Sequence, residues 1–494
     1  MSKSFAKGAL LVSTMLATLA AAPAEAKAPA RQRPNVVIIV ADDMGYADPS
    51  LYGNANMETR AIDSIGRDGI KFTNGYASAP LCSPSRAGLI TGRYQQRFGF
   101  EQQVSNGAMP ELQEVRDETG ALTPLQGEAE FLRRGLPVSE RTFGDMFKAA
   151  GYRTAVIGKW HLGHAPEFQP NGRGFDYSYV FYGNTSLQST NLSGPDVVSM
   201  KVDYHDELPN VAWSREGLNA VRRNGKIEQV DQFLLFRFRD EAVNFINENK
   251  ANPFLLYLPL NAPQPPLQVP TYYYERLRPN FPNLAQRAYN GLVLAQDDTI
   301  GAVLQALKDN RLDQNTIVIF VSDNGSAVSR PGNNAPFRGG KTSTLEGGIR
   351  VPFVMKWPAG IKPGVTIDQP VTTLDILPTI AAAANVPVSA SAPLDGKNLL
   401  PYINGARAEA PHDLLYWKLG PQSAVRRGKW KLWIDNTNKT ARLYDLEKDL
   451  GETRDLSDQE PAIKSELKAA YDAWNASLPE RSWTTISPVP RRRN

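Results

Sequence analysis

The chain has 494 residues, 55 basic against 51 acidic, and a formal net charge of +4. That balance is too mild to point to nucleic acid, and it favours an anionic ligand only weakly. Cys82 is the single cysteine, which excludes an internal disulfide and leaves a thiol that is free, paired between chains or chemically special.

In chain order, Lys3 and Lys7 come first, then the apolar run "ALLVSTMLATLAAA", then "AEA". This pattern predicts an export signal over 1–26, cleaved after Ala26, and a periplasmic or secreted protein. The run falls short of the roughly 20 residues that a membrane span needs, and no other window approaches that length. Residues 35–43, "NVVIIVADD", and 315–325, "NTIVIFVSDNG", are continuous β-branched runs, the first ending in Asp42 and Asp43 and the second in Asp323 and Asn324. Such runs suit strands buried on both faces of a parallel sheet. Further strands are expected at 153–160, 253–260 and 351–357. Helices are expected after Ser139, a candidate N-cap with Gly151 as the stop, and over 289–310. The alternation predicts an α/β domain, 34–404, with a large, mostly parallel sheet flanked by helices and ligands at the carboxyl ends of its strands. Residues 101–135 read as a long surface loop. From 405 to 494, short strands and one amphipathic helix predict a smaller α+β subdomain with an antiparallel sheet.

Asp42 and Asp43 stand where one predicted strand stops, and Asp323 and Asn324 where another stops. Like charges brought together need a cation, and hard oxygen ligands suit Ca²⁺, with Mg²⁺ second, over a soft metal. The plain reading is that each Asp caps a turn. Lys159 and His161, two apart at another strand end, are expected to leave the same face. Lys341 lies in the glycine-rich "FRGGKTSTLEGGIRVP", and Arg86 follows Cys82 by four, one helical turn on. Taken singly these read as a surface lysine, a core histidine and a helix arginine. Together with a metal they suit a tetrahedral oxyanion, sulfate or phosphate.

The stretch "CSPSRAGLITGR" (82–93) resembles the signature of the formylglycine-dependent sulfatases in the alkaline phosphatase superfamily, among them bacterial polysaccharide and aryl sulfatases. "VADDMGYADPSLYGN", "GYRTAVIGKWHLG", "VSDNG", "NNAPFRGGKTSTLEGGIRVPFVMKWPAG", "TTLDILPTI" and "LYDLEKDLGETRDLS" resemble the family's other blocks in order, over about 34–475. The resemblance implies an alkaline-phosphatase-like sandwich and a sulfuric ester hydrolase. It implies that a maturation enzyme converts Cys82 to formylglycine. Asp42, Asp43, Asp323 and Asn324 would hold Ca²⁺, with residue 82 as a further ligand. Arg86, Lys159 and Lys341 would hold the aldehyde hydrate and the sulfate oxygens, and His161 would help remove a proton from the second hydroxyl. Gln264 and Asn184 are expected to contact substrate. Gln264 departs from the pattern, because relatives often carry histidine there, and glutamine cannot serve as a general acid. His205 and Lys341 are candidates for that role. The expected substrate is a sulfated polysaccharide or its oligosaccharides, with Tyr182, Tyr204, Trp213 and Tyr272–Tyr274 as candidate sugar contacts. Competing readings are a phosphodiester or phosphonate monoester hydrolase of the same superfamily and a weakly catalytic binder of sulfated glycans. The sugar, the sulfated position and the oligomeric state are not written in these motifs.

Overall fold

A ten-stranded sheet forms the body of the protein. Its parallel centre comprises β1 (Asn35–Asp42), β2 (Arg153–Lys159), β3 (Tyr177–Phe181), β4 (Phe254–Pro263) and β5 (Thr316–Ser322), in the spatial order β5-β1-β4-β2-β3. β6 (Phe353–Lys356) adds to β5 antiparallel, and short strands complete both edges. The computed structural model describes residues 1–2, 33–104, 134–192, 194–202, 215–388 and 393–483. The predicted export signal beyond residue 2, most of the 101–135 loop, Tyr204, His205 and Trp213 lie outside them. Residues from Arg33 onward form one compact unit, to which this description is confined. Among the described residues, no helix is long and apolar enough to cross a membrane.

β1 lacks polar alternation because both its faces are covered. Val37, Ile39 and Ala41 enter one core, with the helices Leu234–Asn249 and Leu284–Asp309. Val36, Ile38 and Val40 enter the other, with α1 (Cys82–Thr91), α2 (Phe143–Ala149) and α3 (Ile376–Ala384). The α2 cap is Thr142 and not the expected Ser139. Thr142 Oγ1 accepts from Asp145 N, and the Asp145 carboxylate accepts from Thr142 N, closing a capping box. Gly151 follows the helix at φ +82.

A second sheet, β7 (Leu415–Leu419), β8 (Gln422–Arg427), β9 (Trp430–Asp435) and β10 (Thr440–Asp445), is antiparallel throughout. Helix α4 (Pro461–Ala476) covers it through Leu467, Tyr471 and Trp474.

Candidate active site

Register brings Asp42 and Asp43 together with Asp323 and Asn324. β1 and β5 pair in parallel from Asn35↔Thr316 to Ala41↔Ser322, so Asp42 and Asp323 leave neighbouring strands at one edge. Asp323 N donates to Ala41 O at 3.0 Å, the last rung of the ladder. On the other side β4 pairs with β1 and ends at Pro263, which delivers Gln264 to the same edge. β2 delivers Lys159 as its last residue, opposite Phe181 of β3, with Asn184 three residues beyond.

Cys82 arrives from the other face. α1 starts at Cys82 after the extended Leu81 and stops at Gly92, in the left-handed region at φ 67. Pro84 is tolerated because the first turn has no intrahelical acceptor for its missing N–H. The helix is buried along its whole length. Its N-terminus puts the Cys82 thiol 3.5 Å from Asp42 Oδ1 and 3.6 Å from Asp43 Oδ1. Donor atoms of Asp42, Asp43, Cys82 and Asp323 lie within 4.8 Å of one another.

Cations interleave with these carboxylates. Arg86 Nε donates to Asp323 Oδ2 at 3.0 Å, and Arg86 Nη2 lies 2.8 Å from the same oxygen and 3.5 Å from Asp42 Oδ1. Lys159 Nζ donates to Asp42 Oδ2 at 2.7 Å and to Gln264 Oε1 at 3.0 Å, with Asn184 Oδ1 at 3.5 Å. Lys341 Nζ spans both oxygens of Asp43, at 2.6 and 2.7 Å, and lies 3.1 Å from Cys82 Sγ. A fourth cation is Arg330, whose Nη1 donates to Asp43 Oδ2 at 2.6 Å. Nothing in its spacing marks it. It lies between Asn324 and Lys341 in a loop with no periodicity.

Asp43 has a positive φ of 65, uncommon for a residue other than glycine. Its N–H donates to Asp323 Oδ1 at 3.1 Å, and Met44 N donates to Ser322 Oγ at 3.0 Å. Asp48, also absent from the predicted set, fastens the loop that follows. Its carboxylate accepts from Gly45 N, Asn333 N and Tyr289 Oη at 2.7, 2.8 and 2.6 Å. Gly45 is required there, since a Cβ would lie 2.4 Å from Asn333 O.

The electrostatics follow from this crowding. Burial raises the Asp43 pKa, but Lys341, Arg330 and Lys159 outweigh it and hold the group below the usual carboxylate range. Asp323 goes the other way. Burial, joined by Asp42 and Asp43, raises it against Arg86 and Lys159. Burial also pushes the Cys82 thiol well up, the reverse of what a thiolate nucleophile needs. Asn324 Nδ2 donates to Asp43 Oδ1 at 2.8 Å, while Asn324 Oδ1 is buried with no hydrogen-bond partner among the described residues. An orphaned carbonyl oxygen beside three carboxylates is a hard-oxygen donor set that fits Ca²⁺ or Mg²⁺.

His161 is buried two residues beyond Lys159, but not by the expected route. β2 ends at Lys159, and His161 sits at φ 57, so strand alternation does not carry as far as residue 161. The expected aromatic contacts divide. Tyr182, Tyr273 and Tyr274 are buried, with Arg222 stacked 4.9 Å from the Tyr182 ring centre, and Tyr272 is exposed at 67%.

Residues 34–386 match the family model described as Sulfatase, and residues 340–473 match N-sulphoglucosamine sulphohydrolase, C-terminal. The chain is 32% identical over 416 residues to N-acetylgalactosamine-6-sulfatase of Canis lupus familiaris, covering 81% of this chain and 72% of that one. It is 30% identical over 452 residues to steryl-sulfatase of Homo sapiens, covering 79% and 73%. Among solved structures, Ps i-CgsB in complex with k-i-k-neocarrahexaose is similar at TM-score 0.78 and 32% identity, over 92% of this chain and 95% of that one.

Proposed function

This chain belongs to the sulfatase family, and on that premise we propose that it releases sulfate from a sulfated carbohydrate, using Cys82 as formylglycine and Ca²⁺ held by Asp42, Asp43, Asp323 and Asn324. The fold is the alkaline-phosphatase-like sandwich, and the activity is that of a sulfuric ester hydrolase. The observation that carries the finer reading is the meeting of a buried Cys82 with three carboxylates and Lys341 at the edge of the sheet.

The residues divide the work. Arg86 is locked by Asp323 and Asp42, so its charge is fixed before substrate arrives. Lys159, held on Asp42, and Lys341, held on Asp43, bring ammonium donors to the oxygens of the sulfate group. The N-terminus of α1 adds its dipole, about 0.3–1 kcal/mol for an anion. His161 would serve as a proton acceptor for residue 82. When present, formylglycine would supply the oxygen nucleophile toward sulfur, and Ca²⁺ held by Asp42, Asp43, Asp323 and Asn324 would supply charge against the sulfuryl oxygens. Cys82 has no exposed surface in the folded chain, so conversion by a maturation enzyme fits best before α1 is packed. The expected export signal would place the enzyme in the periplasm or outside the cell.

A sulfated oligosaccharide is supported as substrate class by the neocarrahexaose bound to the 32%-identical structure. The test pairs peptide mass spectrometry at residue 82 with a screen of sulfated galactan and glycosaminoglycan oligosaccharides for released sulfate. Loss of the thiol together with sulfate release is expected. A fully active protein with an intact Cys82 thiol would overturn the reading.

A further inference from the structure

A cavity of about 730 Å³ lies where the second sheet meets the edge of the main one, and none of the candidate active-site residues lines it. Four cations line it, Arg350, Arg407, Arg426 and Lys429, against two carboxylates, Asp368 and Glu447. Most of these charges are answered by the protein. Arg350 meets Glu346 at 3.3 Å, Lys429 meets Asp445 at 3.0 Å, and Asp368 accepts from Thr73 Oγ1 at 2.5 Å. Arg426 differs. It is only 6% exposed, and its hydrogen bonds go to neutral groups. Its Nε donates to Gly428 O at 2.7 Å, and its Nη1 to Asn74 Oδ1 at 2.9 Å and to the Tyr76 hydroxyl. Its Nη2 donates to no group among the described residues. A buried guanidinium with neutral partners and an unused donor on a cavity is a ready site for an oxyanion. Arg407 stands at the rim, its side chain 56% exposed and its ion pair with Glu409 loose at 3.8 Å. A pair of that kind contributes little and yields readily to a ligand.

Register relates this cavity to the candidate active site. Val321 of β5 pairs with Phe353, and Phe353 with Phe72 at the end of the strand Ile70–Phe72. Thr73 and Asn74, which line the cavity, therefore leave the sheet at the same edge as Asp323. They do so two strands across, about 10 Å at the usual strand spacing. A chain of sugars carrying several sulfate groups can lie along that edge and meet both places. Resting on the sulfated-carbohydrate reading above, we propose that this groove is a second binding site for the polymeric substrate, taking a sulfate ester on Arg426 with Arg407 at its rim. It holds the polymer by a group other than the one at residue 82, so the two contacts reinforce each other through effective concentration.

Affinity electrophoresis of the full chain tests this without reference to turnover, in gels holding a sulfated galactan or a sulfated glycosaminoglycan, each against its desulfated form. The wild type should be retarded by at least one sulfated polymer. Arg426→Gln should weaken that binding about tenfold, the weight of one charge-assisted hydrogen bond. Arg407→Glu should weaken it about threefold, as expected for an exposed charge contact. Turnover of a small aryl sulfate by Arg407→Glu should stay within about twofold of wild type, because distant sites act independently. If Arg426→Gln does not fold, Arg407→Glu combined with Lys429→Ala decides. Inorganic sulfate in the gel, against chloride at equal ionic strength, separates an ester on the polymer from the free ion. A polymer held at several points stays bound, whereas complete release by sulfate would make the free ion the ligand and overturn the assignment. Unchanged retardation in both variants, or no retardation of a wild type that still hydrolyses aryl sulfate, overturns the groove and leaves the sulfatase reading standing. A wild type whose retardation depends on Arg407 and Arg426 but which releases no sulfate keeps the groove and overturns the proposed function.

Discussion

At the carboxyl edge of the main sheet, Asp42, Asp43 and Asp323 face Arg86, Lys159, Arg330 and Lys341. Where the second sheet meets the body, Glu346 and Glu452 face Lys431, with Arg350 beside Glu346. Both clusters are buried, and both are made of carboxylates and cations. In the second, both carboxylates are tied to protein groups, although Glu452 Oε1 meets Lys431 as an ion pair and has no hydrogen bond among the described residues. Glu346 takes Lys431 at 2.8 Å, the Tyr76 hydroxyl at 2.6 Å and Arg350 at 3.3 Å. Glu452 takes Lys431 at 2.9 Å and the Glu346 N–H at 2.7 Å. In the first, Asn324 Oδ1 has no hydrogen-bond partner among the described residues. The second cluster is tied together by its own ion pairs and acts as a fastener. The first sets four cations against three carboxylates at the end of the sheet, and that surplus of positive charge suits an arriving anion.

Cys82→Ala should break this comparison hardest. Turnover should vanish with the melting temperature nearly unchanged, since a small buried group is replaced by another. Measurable turnover in a Cys82→Ala protein would remove residue 82 from the chemistry. Asp323→Ala should come next. Turnover should drop by about 10²–10³-fold, as for loss of a preorganised charge, and bound metal measured by elemental analysis should fall with it. An active Asp323→Ala protein free of metal would make the first cluster a fastener too.

Lys431→Met applies the same cut to the second cluster and should act on stability instead. It strands two buried carboxylates, at a cost of about 3–5 kcal/mol in denaturant unfolding, and should leave metal content as it was. The pH dependence carries a sign. Burial raises Glu346, but Lys431, Arg350 and Arg426 overcome it and hold the group below its ordinary value. A depressed carboxylate contributes stability that is present above its unfolded pKa, about 4.3, and is lost as pH falls through the lower folded value. Glu452 is pushed the other way, by burial and by Glu346. The stability gap between wild type and Lys431→Met should therefore narrow as pH falls from 6 towards 3. A gap that is flat or widens would contradict the assignment.

The two clusters were unequally legible in the sequence. Asp42, Asp43, Asp323 and Asn324 each close a run of apolar β-branched residues, and a strand buried on both faces can end only at an edge. The expected strands at 35–43 and 315–325 are found at 35–42 and 316–322. The expected strand at 351–357 is found at 353–356, but antiparallel to its neighbour, since a short apolar run carries no mark of direction. Glu346 and Lys431 lie 85 residues apart and join only where the second sheet packs against the short helix Glu346–Ile349, so neither periodicity nor spacing reveals them. Arg330 was hidden for a related reason. Its partner Asp43 is 287 residues away, and its own loop has no repeat. Tyr182, expected as a sugar contact, is buried with Arg222 over its ring, a packing that its aromatic character alone does not reveal.

Gln264 tests the finest point, because it belongs to the first cluster but carries no charge. Its Oε1 is held by Lys159 at 3.0 Å, which fixes the amide so that Nε2 faces Asn184, 3.5 Å away. An amide in that position can donate a hydrogen bond to a sugar hydroxyl or bridging oxygen, but it cannot give up a proton. A sugar alkoxide is a poor leaving group and depends on being well placed for an acid elsewhere, whereas an activated aryl oxide leaves without help. If Gln264 orients the sugar, Gln264→Ala should cut kcat/KM for a sulfated oligosaccharide by about tenfold, the worth of one well-placed hydrogen bond. The same change should leave an activated aryl sulfate within about twofold of wild type, because Lys159 keeps Asp42 as its main partner. Equal losses on both substrates would mean that Gln264 acts through Lys159 on the sulfate group itself, and no loss on either would remove it from the site.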